Sequence, residues 1–330
     1  MKVAVLHGQI AEGAPQDELD VLVEAEAVCR ALSELGHESI RVPFSIDFKT
    51  VMEALHSIHP ALVFNLVEAV DGIGRLIHAA PSLLDYLKIP YTGAETEAIF
   101  LSSNKLVAKR LLKGCGIPTP QWFTRMDVQS NCIATDNLYI IKSLWEHASI
   151  GLDEDSVISV THSHQLHHEM ECRQEQLGGD CFAEVYIPGR EFNISLLSGH
   201  HGPQLFPAAE ILFEEYPEEK LRVVGYRAKW HEGSFEYAHT PRTFDLSSDD
   251  EPLVHQLNAI AKECWSIFGL RGYARVDFRV DQAGAPWVLE VNANPCISPE
   301  AGFIAAAERA GLTYNQVIQR IIEESGPHHR

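Results

Sequence analysis

Two stretches near the C-terminal end constrain this chain more than any other part of it. "GYARVDFRV" (272–280) and "WVLEVNANP" (287–295) both read as strands, rich in apolar β-formers such as Val276, Phe278, Val288 and Val291. Strand side chains alternate between faces, so Arg275 and Asp277 share one face of the first strand, and Glu290 and Asn292 share one face of the second. The intervening "DQAGAP" holds Gly284 and Pro286 and reads as a turn. If the two strands pair, Asp277, Glu290 and Asn292 converge. Two carboxylates and an amide are hard oxygen ligands suited to Mg²⁺, which takes the rest of its octahedron from water and phosphate. Arg275 beside them can hold an anion. An ion pair on an edge strand would explain any one of these residues. It does not explain an Arg-x-Asp strand followed by Glu-x-Asn-x-Asn-Pro.

The rest of the chain supplies a scaffold for such a site. Residues 2–7, 37–44 and 60–67 read as strands. They alternate with an amphipathic helix through Leu19 and Leu35 that Gly36 stops, and with a partly helical stretch at 74–90. That alternation predicts a parallel α/β sheet over the first hundred residues. "SNKLVAKRLLKGCGIPTP" reads as a helix capped by Ser102 or Ser103 and closed by Gly114 and Gly116. Further expectations are strands at 138–143 and 156–160, a helix at 162–177, and a strand, tight turn and strand across 181–199. Residues 214–245 are polar and are expected to form a long loop of functional kind. A helix at 252–268 and a single last helix at 301–323 complete the reading. The fold class expected is α/β and α+β, with three domains at 1–101, 102–182 and 183–330.

Bulk properties narrow the partners. A formal charge of −20 excludes nucleic acid and anionic membrane as main partners, because both need a basic surface. The seven cysteines are an odd number without a C-x-x-C pair, so they are expected as reduced thiols in a cytoplasmic protein. The apolar run in "MKVAVLHG" is too short for a signal segment, and no segment is long enough to span a membrane.

An anionic ligand bound by so acidic a chain needs locally placed cations. Lys105 opens a helix, where amide dipoles also favour anions. Lys142 ends the strand "LYIIK" ahead of a small-residue loop, and Lys229 lies in the polar loop as "RAKW". Glu184 and Glu191 flank the Gly turn of "AEVYIPGREF". Each lysine alone reads as a solvated surface residue. Together the order is distinctive: Asn-Lys opening a helix, Lys before a small-residue loop, E-x-x-x-x-G-x-E-F, Ala-Lys-aromatic, R-x-D and L-E-x-N-x-x-P. It resembles the ATP-grasp superfamily and, within it, the D-alanine–D-alanine ligases. The likeness extends over nearly the whole chain and is strongest from 102 to 295.

The resemblance implies a three-domain ATP-grasp fold with ATP clamped between two α+β domains. It implies that Lys105 and Lys142 hold ATP phosphates, that Glu184 and Ile187 frame the adenine, and that Glu191 binds the ribose. Lys229, on a lid at about 214–245, would reach the γ-phosphate. Asp277, Glu290 and Asn292 would ligate two Mg²⁺, with Mn²⁺ as the alternative ion. Arg275 would stabilise the oxyanion of a tetrahedral intermediate, and Ser149 would serve in the small-residue loop. The activity implied is an ATP-dependent ligation. A carboxylate is phosphorylated, an amine attacks the acyl phosphate, and ADP and phosphate leave. The partners implied are a small carboxylate and a small amine, with a homodimer left open.

The substrate motifs depart from that family. Its Gly-Gly-x-Ser-x-Glu motif is replaced by "HGQIAEGAPQDELD", where Asp17 or Asp20 could stand in for the Glu. Its Glu-Gly-Ser-Ser loop reads "EHASIG", so Ala148 replaces one serine while Ser149 remains, and its lid Lys-Tyr is Lys229-Trp230. The segment normally ending His-Ser-Leu reads "CISPEAGF", which brings Ser298 and Glu300 into the acceptor region. Glu68, near the glycine turn 71–76, is a further candidate for the substrate cleft. Glu300 would repel an acceptor carboxylate, or else simply precede the last helix. These changes leave the ATP side intact. The expectation is therefore a related ligation with substrates other than two D-alanines. The alternatives are D-alanine–D-alanine ligation itself, an ATP-grasp kinase, and a non-catalytic nucleotide-binding paralogue.

Overall fold

The computed structural model describes residues 1–11, 13–130, 133–134, 136–145 and 151–325, with the side chain of Asp17 outside the description. Ser149 lies outside the described residues.

The N-terminal part runs β1 (Lys2–Gly8), α1 (Gln16–Glu34), β2 (Glu38–Phe44), α2 (Phe48–Ile58), β3 (Leu62–Asn65) and α3 (Ala79–Leu87). Its sheet has the order β2-β1-β3 and is parallel throughout, as the alternation of periods predicts. The helix α1 starts earlier than its apolar spacing indicates, so Asp17 and Asp20 lie in its first turns rather than in a loop.

Two helices, α4 (Thr96–Ser103) and α5 (Lys105–Gly114), lead out of this unit. Ser102 and Ser103 do not cap α5. They end α4, where both hydroxyls donate to the carbonyl of Ile99. The cap is Asn104, whose side chain accepts from the backbone N–H of Val107 at 3.0 Å. This cap fixes where α5 begins and so where Lys105 stands.

Next come β4 (Trp122–Phe123), α6 (Arg125–Gln129), β5 (Asn137–Ser143), β6 (Val157–Val160), α7 (Ser163–Arg173) and β7 (Cys181–Val185). They form a four-stranded antiparallel sheet of order β4-β7-β5-β6. The strand β8 (Arg190–Leu197) follows a short turn but does not pair with β7. It belongs to another sheet, so the chain changes sheets within 186–189, beyond the boundary at 182 expected from sequence.

That second sheet also contains β9 (Gln204–Leu205), β10 (Ala209–Ile211), β11 (Arg242–Thr243), β12 (Tyr273–Val280) and β13 (Pro286–Asn292). Its order is β11-β10-β8-β12-β13, with β9 on β8. The segment 214–245 is not one structureless loop, for it includes the short helices α8 (Tyr226–Trp230) and α9 (Phe235–Ala238) as well as β11. After α10 (Glu251–Ile267), the last helix of the sequence reading proves to be two, α11 (Gly302–Arg309) and α12 (Tyr314–Glu323). Gly311, at φ +85°, breaks them, and Thr313 and Gln316 form a capping box that restarts the helix.

The largest apolar core packs α4, α5 and α10 against β8, β12 and β13. A second core packs α1, α11 and α12 against β1, β3 and the far end of β12, including Tyr273 and Phe303. The strand β12 thus spans both cores and carries polar residues on its remaining face. Among the described residues no helix is long and apolar enough to cross a membrane, and the six described cysteines are all free.

Candidate active site

Antiparallel pairing sets Arg275 of β12 opposite Asn292 of β13, and Asp277 opposite Glu290. The register then shifts by one residue, because Leu289 bulges. The convergence read from the sequence therefore occurs, between the interior strand β12 and the edge strand β13 of the same sheet. Cβ atoms at such facing positions lie about 5 Å apart. Arg279 follows Arg275 and Asp277 on the same face.

One cavity lies between the four-stranded and six-stranded sheets. Its wall includes Lys105, Lys142, Glu184, Ile187, Glu191, Lys229, Asp277 and Glu290. Arg275 and Asn292 do not line it but adjoin it. The two nitrogens of Arg275 donate to the two oxygens of Asp277 at 2.7 and 2.8 Å, and Asn193 donates to the same carboxylate at 2.8 Å. Burial works against the charge on Arg275, but Asp277 more than offsets it and raises the pKa. Across the rung, Glu290 faces Lys105 at 3.8 Å. Asn292 accepts from the backbone N–H of Asn294 at 2.9 Å, which orients its amide.

Among the described residues no cluster of three His, Cys, Asp or Glu groups could hold a metal alone. The donor set here is two facing carboxylates at a cavity wall and an amide adjoining it, the sparse oxygen set that suits Mg²⁺ completed by phosphate oxygens. Each carboxylate has a cation against it, so neither stands as an uncompensated charge. These residues fit such an ion.

Glu184 is 1% exposed, and its carboxylate lies between Lys142 at 2.5 Å and Lys109 at 2.6 Å. Burial alone would raise its pKa. Lys109 and then Lys142 reverse that and hold it below the usual carboxylate range. The carboxylate is turned toward these two lysines. Framing of a base near this residue would fall to the backbone and to Ile187. Glu191 pairs with Arg279 at 3.1 Å, and Arg279 donates to the carbonyls of Gly189 and Arg222. Lys109 and Arg279 both escaped the sequence reading. Lys109 looks like any helical surface lysine, although it lies one turn from Lys105 on the same face.

Lys229 projects from α8 and is exposed to the cleft. Protein nonetheless crowds it on all sides. Desolvation, and after it the Arg275 guanidinium, lower its pKa against the opposing fields of Asp277, Glu290 and Glu191. Surface reached by water inside a walled cleft is not bulk solvent, so exposure and desolvation coexist. Trp230 is the next residue of α8 and half-buried.

The segment carrying α8 is tied to the four-stranded side. Tyr226 donates from its backbone to Leu152 at 2.7 Å, and Arg227 pairs with Asp153 at 3.5 Å. Lys220 bridges Glu154 and Glu236. Burial opposes the charge on Glu236, but Lys220 outweighs it and draws the pKa down to about 2.

At the far end of the cleft, the segment after β13 is stapled to α1. Both the Ser298 hydroxyl and the Cys296 thiol donate to Asp20, at 3.0 and 3.2 Å, and the Ile297 N–H donates to Glu24 at 2.7 Å. Burial, followed by the fields of Glu68 and Asp20, raises the Glu24 carboxyl well above its ordinary range, against the Ile297 hydrogen bond. Asp20 is thus an acid of the divergent N-terminal motif that meets this segment. Glu68 is half-buried beside the cluster. Glu300 is exposed in the turn before α11, makes no cap for that helix, and is not part of the cavity wall. The charge over the start of α11 is instead Arg242, whose guanidinium would lie 3.3 to 3.5 Å from a Cβ placed on Gly302. Nothing in "TPRTF" distinguished that arginine from its polar neighbours.

Comparison with known proteins agrees with this architecture. A family model described as D-ala D-ala ligase C-terminus matches residues 111–323. An uncharacterised protein, y4sG, of Sinorhizobium fredii is 29% identical, covering 91% of this chain and 86% of its own. The D-alanine–D-alanine ligase of Gloeobacter violaceus is 31% identical, covering 98% of this chain and 99% of its own. Among solved structures, the D-alanine–D-alanine ligase of Bacillus anthracis complexed with ATP superposes with a TM-score of 0.74. It is 20% identical and covers 98% of this chain and 97% of its own, a likeness of fold.

Proposed function

Since this chain belongs to the D-ala D-ala ligase C-terminus family and has the ATP-grasp fold, we propose that it is an ATP- and Mg²⁺-dependent carboxylate–amine ligase. The reaction forms an amide through an acyl phosphate. The carboxylate oxygen takes the terminal phosphoryl group of ATP, the amine displaces phosphate at the acyl carbon, and ADP and phosphate leave. The observation that carries this reading is one cavity whose wall brings together Lys105 of α5, Lys142 of β5, Glu191 of β8, Lys229 of α8, Asp277 of β12 and Glu290 of β13.

The roles follow from chemistry and position. Lys105 and Lys142 hold phosphates, Glu191 takes a ribose hydroxyl, and Ile187 covers the base. Asp277, Glu290 and Asn292 would hold Mg²⁺, which when bound would supply neutralisation of charge on the phosphoryl oxygens. Arg275 hands part of its charge to the acyl oxygen as that becomes anionic. Lys229, kept in the cleft by the ties of its segment to Leu152 and Asp153, meets the terminal phosphate and helps exclude water. The donor and acceptor occupy the end of the cleft built by Asp20, Glu68, Trp230, Ser298 and Arg242.

That end differs most from the family pattern, which supports substrates other than two D-alanines. D-alanine–D-alanine ligation itself remains the second reading, favoured by the 31% identity to the Gloeobacter violaceus enzyme. The test is a screen of amino-acid and amine pairs with ATP and Mg²⁺, reading ADP, phosphate and product together. A ligase gives ADP only when the amine is present, whereas ADP formed with the carboxylate alone identifies a kinase. Glu290→Gln is expected to lower turnover at least about a hundredfold, the scale of lost electrostatic stabilisation at a reacting group. Near-normal turnover in a folded variant refutes the metal assignment.

A further inference from the structure

The buried lysine beside the nucleotide cavity has no role so far. Lys109 is 2% exposed, and charged lysine is almost never so deeply buried unless paired. Its ammonium contacts the Glu184 carboxylate at 2.6 Å and donates to the Thr119 hydroxyl at 2.9 Å. Thr119 in turn donates to the carbonyl of Val288, in β13, at 2.8 Å. Lys109 is therefore fixed from two sides, by β7 and by the strand that carries Glu290.

On the other oxygen of Glu184 sits Lys142, at 2.5 Å, with 16% of its side chain exposed and facing the cavity. One carboxylate thus serves two ammonium groups, one locked away and one at the wall. A lone buried Glu184–Lys142 pair would be self-neutralising. Drawing Lys142 toward a phosphate would then strand a buried carboxylate, at a cost several-fold above that of a surface pair. With Lys109 in place, Glu184 stays compensated whatever Lys142 does.

We propose that Lys109 is a positioning residue that holds the Glu184 carboxylate permanently, so that the Lys142 ammonium is free to serve a phosphate group of the bound nucleotide. The inference rests on the reading of Lys142 as a phosphate ligand. It makes Glu184 a holder of lysines rather than a ligand of the base, and it ties the nucleotide side of the cleft to β13.

The experiment is calorimetric titration of the full chain with Mg²⁺·ATP, Mg²⁺·ADP and adenosine. The variants are Lys109→Met, Lys109→Arg, Glu184→Gln and the double variant Lys109→Met/Glu184→Gln, each checked by thermal melting. Lys109→Met is expected to weaken ATP and ADP about tenfold to a hundredfold while adenosine stays within about threefold, the size of a lost charge-assisted contact. Removing the carboxylate as well frees Lys142 again, so the double variant is expected to bind ATP more tightly than Lys109→Met alone. Lys109→Arg keeps most of the affinity. Should Lys109→Met unfold, the charge-balanced double variant and Lys109→Arg carry the test: both are expected to bind ATP and ADP within about threefold of the parent, and a loss of about tenfold or more in either, with adenosine unchanged, overturns the proposal.

Equal weakening of adenosine and ATP, or a double variant worse than the single, overturns the proposal and leaves Lys109 a packing residue. Lys142→Met separates the two levels, because unchanged ATP affinity in that variant removes the phosphate reading of Lys142 itself.

Discussion

Gly225→Ala is the sharpest available probe of the segment that carries Lys229. Gly225 has φ −87° and ψ −169°, a conformation open to any residue, so the substitution brings no backbone strain. The obstacle is steric. A Cβ at this position would lie 2.3 Å from the Leu152 carbonyl oxygen, 2.6 Å from Asp153 Oδ1 and 2.9 Å from Asp153 Cα. Carbon and oxygen rest at about 3.3 Å or more, so the segment must lift by about 1 Å. That breaks the hydrogen bond from Tyr226 to Leu152, worth about 0.5 to 1.5 kcal/mol. It also loosens the half-exposed Arg227–Asp153 pair, worth about 0 to 1 kcal/mol. The sum, about 0.5 to 2.5 kcal/mol, lowers the seated population about twofold to seventyfold. Turnover should fall by that factor, with the nucleotide's KM less affected. Protease cleavage within 214–245 should persist at saturating Mg²⁺·ATP, while the parent is protected. Gly233→Ala is the control, because a Cβ there meets nothing within 4 Å. Wild-type turnover and full protection in a folded Gly225→Ala protein would refute the idea that this contact seats the segment.

Two further outcomes follow from the acceptor end. Because burial and the neighbouring acids raise the Glu24 pKa, the folded state holds a proton that the unfolded chain releases near pH 4.3. The stability contributed by Glu24 is full below that pH and is lost as pH rises through the folded value. The melting temperature of Glu24→Gln should therefore gain on that of the parent as pH increases from about 4.3, and a pH-independent difference refutes the assignment. Arg242 has burial and then the Arg275 charge lowering its pKa, and no ion pair among the described residues. Arg242→Gln should raise the KM of an acceptor bearing a free carboxylate about tenfold or more, with no change for the matching amide. Equal effects on both would remove Arg242 from the acceptor site.

How much of this was legible in the sequence depended on the range of the signal. The pairing of β12 with β13 was readable because polar residues recur at period two in otherwise apolar strands a short turn apart. The break between α11 and α12 was also present, as Gly311 followed by Thr313-x-x-Gln316, a capping box hidden inside a helical period. Asn104 was passed over as a cap because Ser102 and Ser103 have the same propensity, and only the end of α4 decides among them. Lys109 had no local signal. A lysine at i+4 from another helical lysine is ordinarily solvated, and its burial is set by β7, a strand of a different unit. The role of Asp20 likewise came from contact with residues 296–298. Position along α1 could not separate it from Asp17.

The same distinction of range explains how a chain of charge −20 can hold a polyanion. Net charge governs the far field, which salt screens within about 10 Å. In and against the cleft the balance among the described residues runs the other way, where Lys105, Lys109, Lys142, Lys229, Arg275 and Arg279 stand with Glu184, Glu191, Asp277 and Glu290. Five of these six cations are matched to a particular carboxylate, with Lys109 and Lys142 sharing Glu184. An empty cleft therefore does not expose a bare cluster of positive charge that would repel itself. A phosphate group entering it exchanges partners with groups already desolvated and oriented, and needs no large rearrangement of charge. The Glu184 carboxylate carries a second cation in reserve, so the cleft can release Lys142 without stranding that carboxylate.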